Sequence, residues 1–71
     1  LIRKHSVSLR GHRTSFSLED EFWHEAVAIA DARNMSIAAL LSEIDENRDA
    51  GSNLSSAIRL HVLRHLKTTS R

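Results

Sequence analysis

The hydrophobic period of this sequence changes once, near residue 19, and that change limits the folds open to it. Residues 5–9 (HSVSL) and 13–18 (RTSFSL) alternate polar with apolar side chains, the period of a half-exposed strand. Beyond them, apolar positions recur at intervals of three and four, the period of helices packed through one face. Arg10-Gly11-His12 lies between the two strands, and its glycine can supply the positive φ of a tight turn. In the second strand Thr14, Phe16 and Leu18 share one face, while Arg13, Ser15 and Ser17 share the other. In the first, His5, Val7 and Leu9 oppose Lys4, Ser6, Ser8 and Arg10. Each strand thus has an apolar face and a face able to meet a polar partner.

Three helices are expected after the strands. The first spans about residues 19–33. Ser17 with Asp20 resembles a capping box, and Glu19, Asp20 and Glu21 suit the positive end of its dipole. Phe22, Ala26, Ile29 and Ala30 form its buried stripe, widened by Trp23 and Val27, and Asn34 is suited to end it. Ser36 reads as the N-cap of a second helix over 37–48, where Ile37, Leu40, Leu41 and Ile44 fall at i, i+3, i+4 and i+7. After a loop at 49–53, a third helix over 54–66 starts from Ser52 or Asn53. It carries Leu54, Ala57, Ile58, Val62 and Leu66 on one side. Leu60 and Leu63 point elsewhere, so cover on two sides is expected, and residues 67–71 are expected to fray.

Seventy-one residues make a single domain, 1–71, and a chain this short is marginal as a lone monomer. Cysteine is absent, which removes disulfides, thiolate metal sites and cysteine catalysis together. A partner subunit is the remaining staple. Phe16, Leu18, Phe22, Leu40, Leu41 and Ile44 exceed what one protomer is expected to cover, which predicts an obligate homodimer. No apolar run approaches the ~20 residues that cross a bilayer. The opening stretch LIRKHSVSLRGHR has no long apolar centre, so a soluble, cytoplasmic protein with no membrane partner is expected.

The net charge of +1 conceals a segregation. Residues 1–13 carry +4 and no acid, residues 14–52 carry −7 with all nine acids, and residues 53–71 carry +4. Basic ends around an acidic middle suggest a polyanion met by one surface only.

The order of strand, helix, short turn and serine-capped helix resembles the ribbon-helix-helix (MetJ/Arc-like) family, whose members read DNA with a β-ribbon. The resemblance covers about residues 13–48 and rests on RTSFSL, on LEDEFW opening a helix, on the turn RNMS and on IAALLSEI. The fuller pattern GHRTSFSLEDEFW with NLSSAIRLHVL is similar to short bacterial proteins of this family. The strand at 5–9 and the helix at 54–66 are additions to its core.

The resemblance implies a mostly α fold with a short β-ribbon, built as a dimer whose two strands pair into one antiparallel ribbon. It implies base contacts from Arg13, Ser15 and Ser17, with Thr14, Phe16 and Leu18 turned to the helices. It also implies a phosphate at the N-terminus of the second helix, met by the backbone around Ser36, Ile37 and Ala38. Chemistry agrees, because a two-stranded ribbon fits the major groove and arginine binds guanine in a bidentate pair. Lys4 and Arg10 would neutralise phosphates without reading sequence. If strand 5–9 pairs beside 13–18, the dimer sheet has four strands, a wide object for the groove.

The expected function is a sequence-specific double-stranded DNA-binding protein, a transcriptional repressor acting as a homodimer. The alternative is a dimeric interaction module, an antitoxin or adaptor, with helix 54–66 as a further protein-binding element. His61 and His65 have the i, i+4 spacing of two metal ligands, but nothing nearby on that helix completes a set, so packed or solvated histidines are expected. Glu21 with His24 or Glu25 reads as a solvated helix face. No nucleophile–base constellation and no cofactor loop occurs, so neither enzyme activity nor a cofactor is expected. Trp23 is expected in the core. Glu43, Asp45, Glu46 and Asp49 are expected to form an exposed acidic face.

Overall fold

The computed structural model describes residues 1–69. Two strands, β1 (Ile2–Leu9) and β2 (His12–Glu19), precede three helices, α1 (Asp20–Ala32), α2 (Ile37–Asn47) and α3 (Leu54–Thr69). The strands pair with each other as an antiparallel hairpin. Only Arg10 and Gly11 form its loop, and both have positive φ, 52° and 82°. That is the two-residue geometry whose twist matches the flanking strands. His12, expected in the turn, is the first residue of β2.

Register places each side chain. Arg3↔Leu18, His5↔Phe16, Val7↔Thr14 and Leu9↔His12 share the inner face, while Lys4↔Ser17, Ser6↔Ser15 and Ser8↔Arg13 share the outer one. The first strand begins three residues earlier than its alternating pattern suggested. The residue before it has a task there: the Asp20 N–H donates to the Leu1 carbonyl at 3.0 Å. This bond satisfies a donor at the start of α1, which has Glu19 as N-cap and no side-chain cap. The expected capping box of Ser17 with Asp20 does not form. Ser17 is still in the strand, and Asp20 turns to Arg3 at 3.0 Å.

The other helix ends follow their local chemistry. Asn34, at φ 56°, lets the Met35 N–H reach back to the Ala30 carbonyl at 3.0 Å and close α1. Ser36 Oγ accepts from the Ala39 N–H at 3.0 Å and opens α2. Asn53 is the cap of α3, with its Oδ1 accepting from the Ser56 N–H at 2.8 Å. Ser36→Ala is expected to cost about 1 kcal/mol of stability, read from the urea midpoint at an unchanged m-value.

The core forms between the inner face of the hairpin and the three helices. It comprises Leu9, Phe16 and Leu18 from the strands, Ala26, Ile29 and Ala30 from α1, Leu40, Leu41 and Ile44 from α2, and Leu54, Ala57, Ile58 and Val62 from α3. Trp23 is half-buried and stacks on His5, with ring centroids 4.1 Å apart. The side chains expected to need a second protomer are covered within one chain. Leu18, Leu40 and Leu41 have no exposed surface, and Phe16 and Ile44 are buried as well; only Phe22 is left half-covered. The reason is α3, whose Ile58 and Val62 complete the core from the third side.

Three further expectations about α3 need correction. Leu66 is 41% exposed rather than buried, and Leu60 and Leu63 are uncovered in the protomer. The helix runs on to Thr69 where fraying was expected from residue 67. The Thr68 and Thr69 hydroxyls donate to the Arg64 and His65 carbonyls there. Residues 70–71 lie outside the described part.

Candidate nucleic-acid interface

The outer face of the hairpin is an exposed polar surface. Arg13, Ser15 and Ser17 are all exposed, and Phe16 and Leu18 between them are buried, as the alternation requires. Beside them in register stand Ser8, Ser6 and Lys4, also exposed. The row holds two cations and four hydroxyls and no carboxylate until Glu19. Glu19 is itself taken by the Arg59 Nε at 2.8 Å, and this bond holds its carboxyl below the usual carboxylate range. A serine hydroxyl pair, Ser6 with Ser15 at 3.3 Å, ties the two strands on this face.

A two-residue hairpin loop makes Leu9 and His12 a hydrogen-bonded pair, and such pairs alternate along the ladder. The backbone groups of Arg13, Ser15 and Ser17 therefore point away from β1, toward the other edge of β2. No strand covers that edge among the described residues. At its far end the Ser17 carbonyl accepts from the Ser55 hydroxyl at 2.6 Å. There the start of α3 walls a shallow groove, with Asn53, Leu54 and Ser55 on one side and Lys4, Ser15 and Ser17 on the other. The placement of α3 beside the outer face was not foreseen, because nothing in its sequence says where the helix returns.

The remaining candidates lie apart from this row. Arg10, at the hairpin tip, pairs with Asp45 and, at 3.2 Å, with Glu46 at the end of α2. Its charge is spent within the fold. Ser36, Ile37 and Ala38 open α2, in the helical layer behind the sheet. The Ser36 cap takes the Ala39 N–H and leaves those of Ile37 and Ala38 as the open donors of the helix start. Thus Arg13, Ser15, Ser17 and Lys4 share one surface, while Arg10 and the α2 N-terminus belong to others.

The expected acidic face is mostly neutralised. Glu43 receives a two-pronged contact from Arg33 at 2.9 and 3.0 Å, and Asp45 is shared by Arg10 and by Arg48 at 2.7 Å. The Arg33 guanidinium holds the Glu43 carboxyl below its usual range. His61 lies half-buried nearby. Burial lowers its pKa, helped by Arg33, His65 and Arg64 and opposed by Glu43. A histidine whose folded pKa is depressed resists protonation in the native state. Stability is therefore expected to fall as pH drops below about 6.5, where the unfolded chain takes the proton. His61→Gln should flatten the decline in thermal midpoint between about pH 7 and pH 5.

A two-stranded ribbon with a basic, hydroxyl-rich outer face, backed by helices joined through a short turn, defines a protein of the β-ribbon class. The chain belongs to the ribbon-helix-helix domain family, whose model matches residues 2–66. Domains of this family are typically those of DNA-binding transcription regulators. Comparison with curated proteins and with solved structures gave no match. The fold is therefore ribbon-helix-helix with an added N-terminal strand and a third, C-terminal helix. No helix of the described residues is long and apolar enough to cross a membrane.

Proposed function

We propose that this chain is a sequence-specific double-stranded DNA-binding protein, a transcriptional repressor of the bacterial cytoplasm that acts as a homodimer without a cofactor. The observation that carries this reading is the outer row of the hairpin, Arg13, Ser15 and Ser17, exposed on a sheet whose other face is locked into the core. Arg13 supplies a fork for guanine O6 and N7, and the serines donate to or accept from several base edges. Lys4 meets phosphate from the same surface, and the open N–H groups of Ile37 and Ala38 behind Ser36, on a second surface, meet phosphates beyond the ribbon, where the helix dipole favours an anion. Arg10 joins them only by exchanging Asp45 and Glu46 for a phosphate.

The open edge of β2 supports the homodimer. Backbone groups of Arg13 and Ser15 are free to pair with a second copy in antiparallel register, as the ribbon of the family requires, while that of Ser17 is met by Ser55. Because each protomer closes its own core, this dimer joins folded subunits rather than creating the fold. An isologous ribbon presents each reading residue twice about a two-fold axis, so its site is a short inverted repeat.

Selection from random duplexes, followed by titration of the winners at several salt concentrations, tests the proposal. The expected result is an enriched inverted repeat whose affinity falls steeply with salt. No enrichment, with salt-independent binding, would reject it. One observation favours a second reading, the interaction module: Leu60, Leu63 and Leu66 stand exposed on α3 beside Arg64 and Lys67. Salt-dependent affinity for random duplex separates the two, since an interaction module shows none.

A further inference from the structure

We propose that Lys4, Ser6 and Ser8 of β1 form an outer row of the same interface, holding the phosphate walls of the major groove while Arg13, Ser15 and Ser17 face the bases. The inference rests on the proposed pairing of β2 with its copy, and it answers the problem of width that a four-stranded sheet raises. Neighbouring strands lie about 4.8 Å apart, so in the order β1-β2-β2-β1 each β2 runs about 2.4 Å from the two-fold axis and each β1 about 7 Å from it. The major groove is about 12 Å wide, which sets its walls about 6 Å from the centre line. The central strands therefore fall within the groove and the outer strands fall on its phosphates. The sheet is too wide to sink to the floor as a whole and wide enough to rest on both walls.

The side chains of β1 fit that position. Lys4, Ser6 and Ser8 stand directly beside Ser17, Ser15 and Arg13 on the outer face, and all are exposed. An ammonium and two hydroxyls donate to phosphate oxygens, and short hydroxyls allow the backbone to come close. No acid enters an ion pair with Lys4 among the described residues, whereas Arg3, on the other row of the same strand, is bound to Asp20 at 3.0 Å. The strand thus spends one cation on the fold and keeps the other on the outer face.

The test compares wild type, Lys4→Ala and the double variant Ser6→Ala/Ser8→Ala on the selected duplex and on a scrambled duplex of equal length, over a salt series. Lys4→Ala is expected to reduce the slope of log affinity against log salt by about two, one phosphate for each protomer. The serine variant is expected to weaken both duplexes by a common factor of about ten or more, since hydrogen bonds to charged groups are lost on both walls. The ratio between duplexes stays the same. Ser6→Thr/Ser8→Thr keeps the hydroxyls and suits a strand, so its retained binding distinguishes a lost contact from a lost fold.

Unchanged affinity and slope in the Lys4 and Ser6/Ser8 alanine variants, with Arg13→Ala still weakening the selected duplex, would overturn the outer row and leave the proposed function standing. A changed ratio between the duplexes would also overturn it, because β1 would then be reading bases. Absence of salt-dependent duplex binding by the wild-type protein would remove the proposed function and this inference with it.

Discussion

Replacing Ile58 with alanine is expected to cost about 2–5 kcal/mol of folding free energy, the range for truncating a fully buried aliphatic side chain. Ile58 has no exposed surface, and its neighbours Leu54, Ala57 and Val62 complete a core that the hairpin, α1 and α2 leave open on one side. A domain this small has about 5–10 kcal/mol in total, so the variant loses a large share of its stability. Leu60→Ala on the same helix is the control. Leu60 is 45% exposed, and its truncation should change stability by no more than about 0.5 kcal/mol. Urea unfolding of both variants checks this. A loss at Ile58 as small as that at Leu60 would mean that α3 does not close the protomer.

Arg13→Ala is expected to weaken binding to the selected duplex by about 1–3 kcal/mol for each guanine contact, and a symmetric dimer makes that contact twice. Folding should be nearly untouched, because Arg13 is exposed and makes no ion pair among the described residues. Arg13→Lys separates the two parts of the effect. Lysine keeps the charge, and with it most of the phosphate attraction, but lacks the planar fork. It should bind scrambled duplex like the parent and bind the selected one less tightly. Anisotropy titrations of the three proteins against both duplexes decide the matter; equal affinities for the selected duplex would remove Arg13 as a reader.

The parts of this fold governed by short-range chemistry were legible in the sequence. Alternation along RTSFSL placed Arg13, Ser15 and Ser17 outside and Phe16 and Leu18 inside, because neighbouring strand side chains must take opposite faces. Ser36 and Asn34 marked helix boundaries through a hydroxyl acceptor and a tolerated positive φ, both properties of single residues. What was not legible depended on elements meeting at a distance. The start of α1 is satisfied by the Leu1 carbonyl, which no local motif records. Arg10 is drawn to Asp45 across the molecule, so a cation expected on phosphate is an internal tie.

The least legible element was α3. Its apolar positions announced an amphipathic helix, but only its docking shows that it supplies the cover a second protomer was expected to provide. The same docking brings Asn53, Leu54 and Ser55 beside Ser17, and so shortens the free edge of β2. A dimer formed through that edge has less backbone to pair than the hairpin length alone suggests. Its contribution to stability is correspondingly smaller, and its dependence on protomer concentration follows from linkage to folded subunits.

On the proposed reading, the outer face of the hairpin meets duplex DNA. Amide chemical-shift mapping on adding the selected duplex tests it most directly, since each residue reports for itself. The predicted result is a set of salt-sensitive shifts confined to Lys4, Ser6, Ser8, Arg13, Ser15 and Ser17, with a second set at Ile37 and Ala38. Shifts gathered instead around Leu60, Leu63 and Leu66 on α3, with the strands silent, would contradict it.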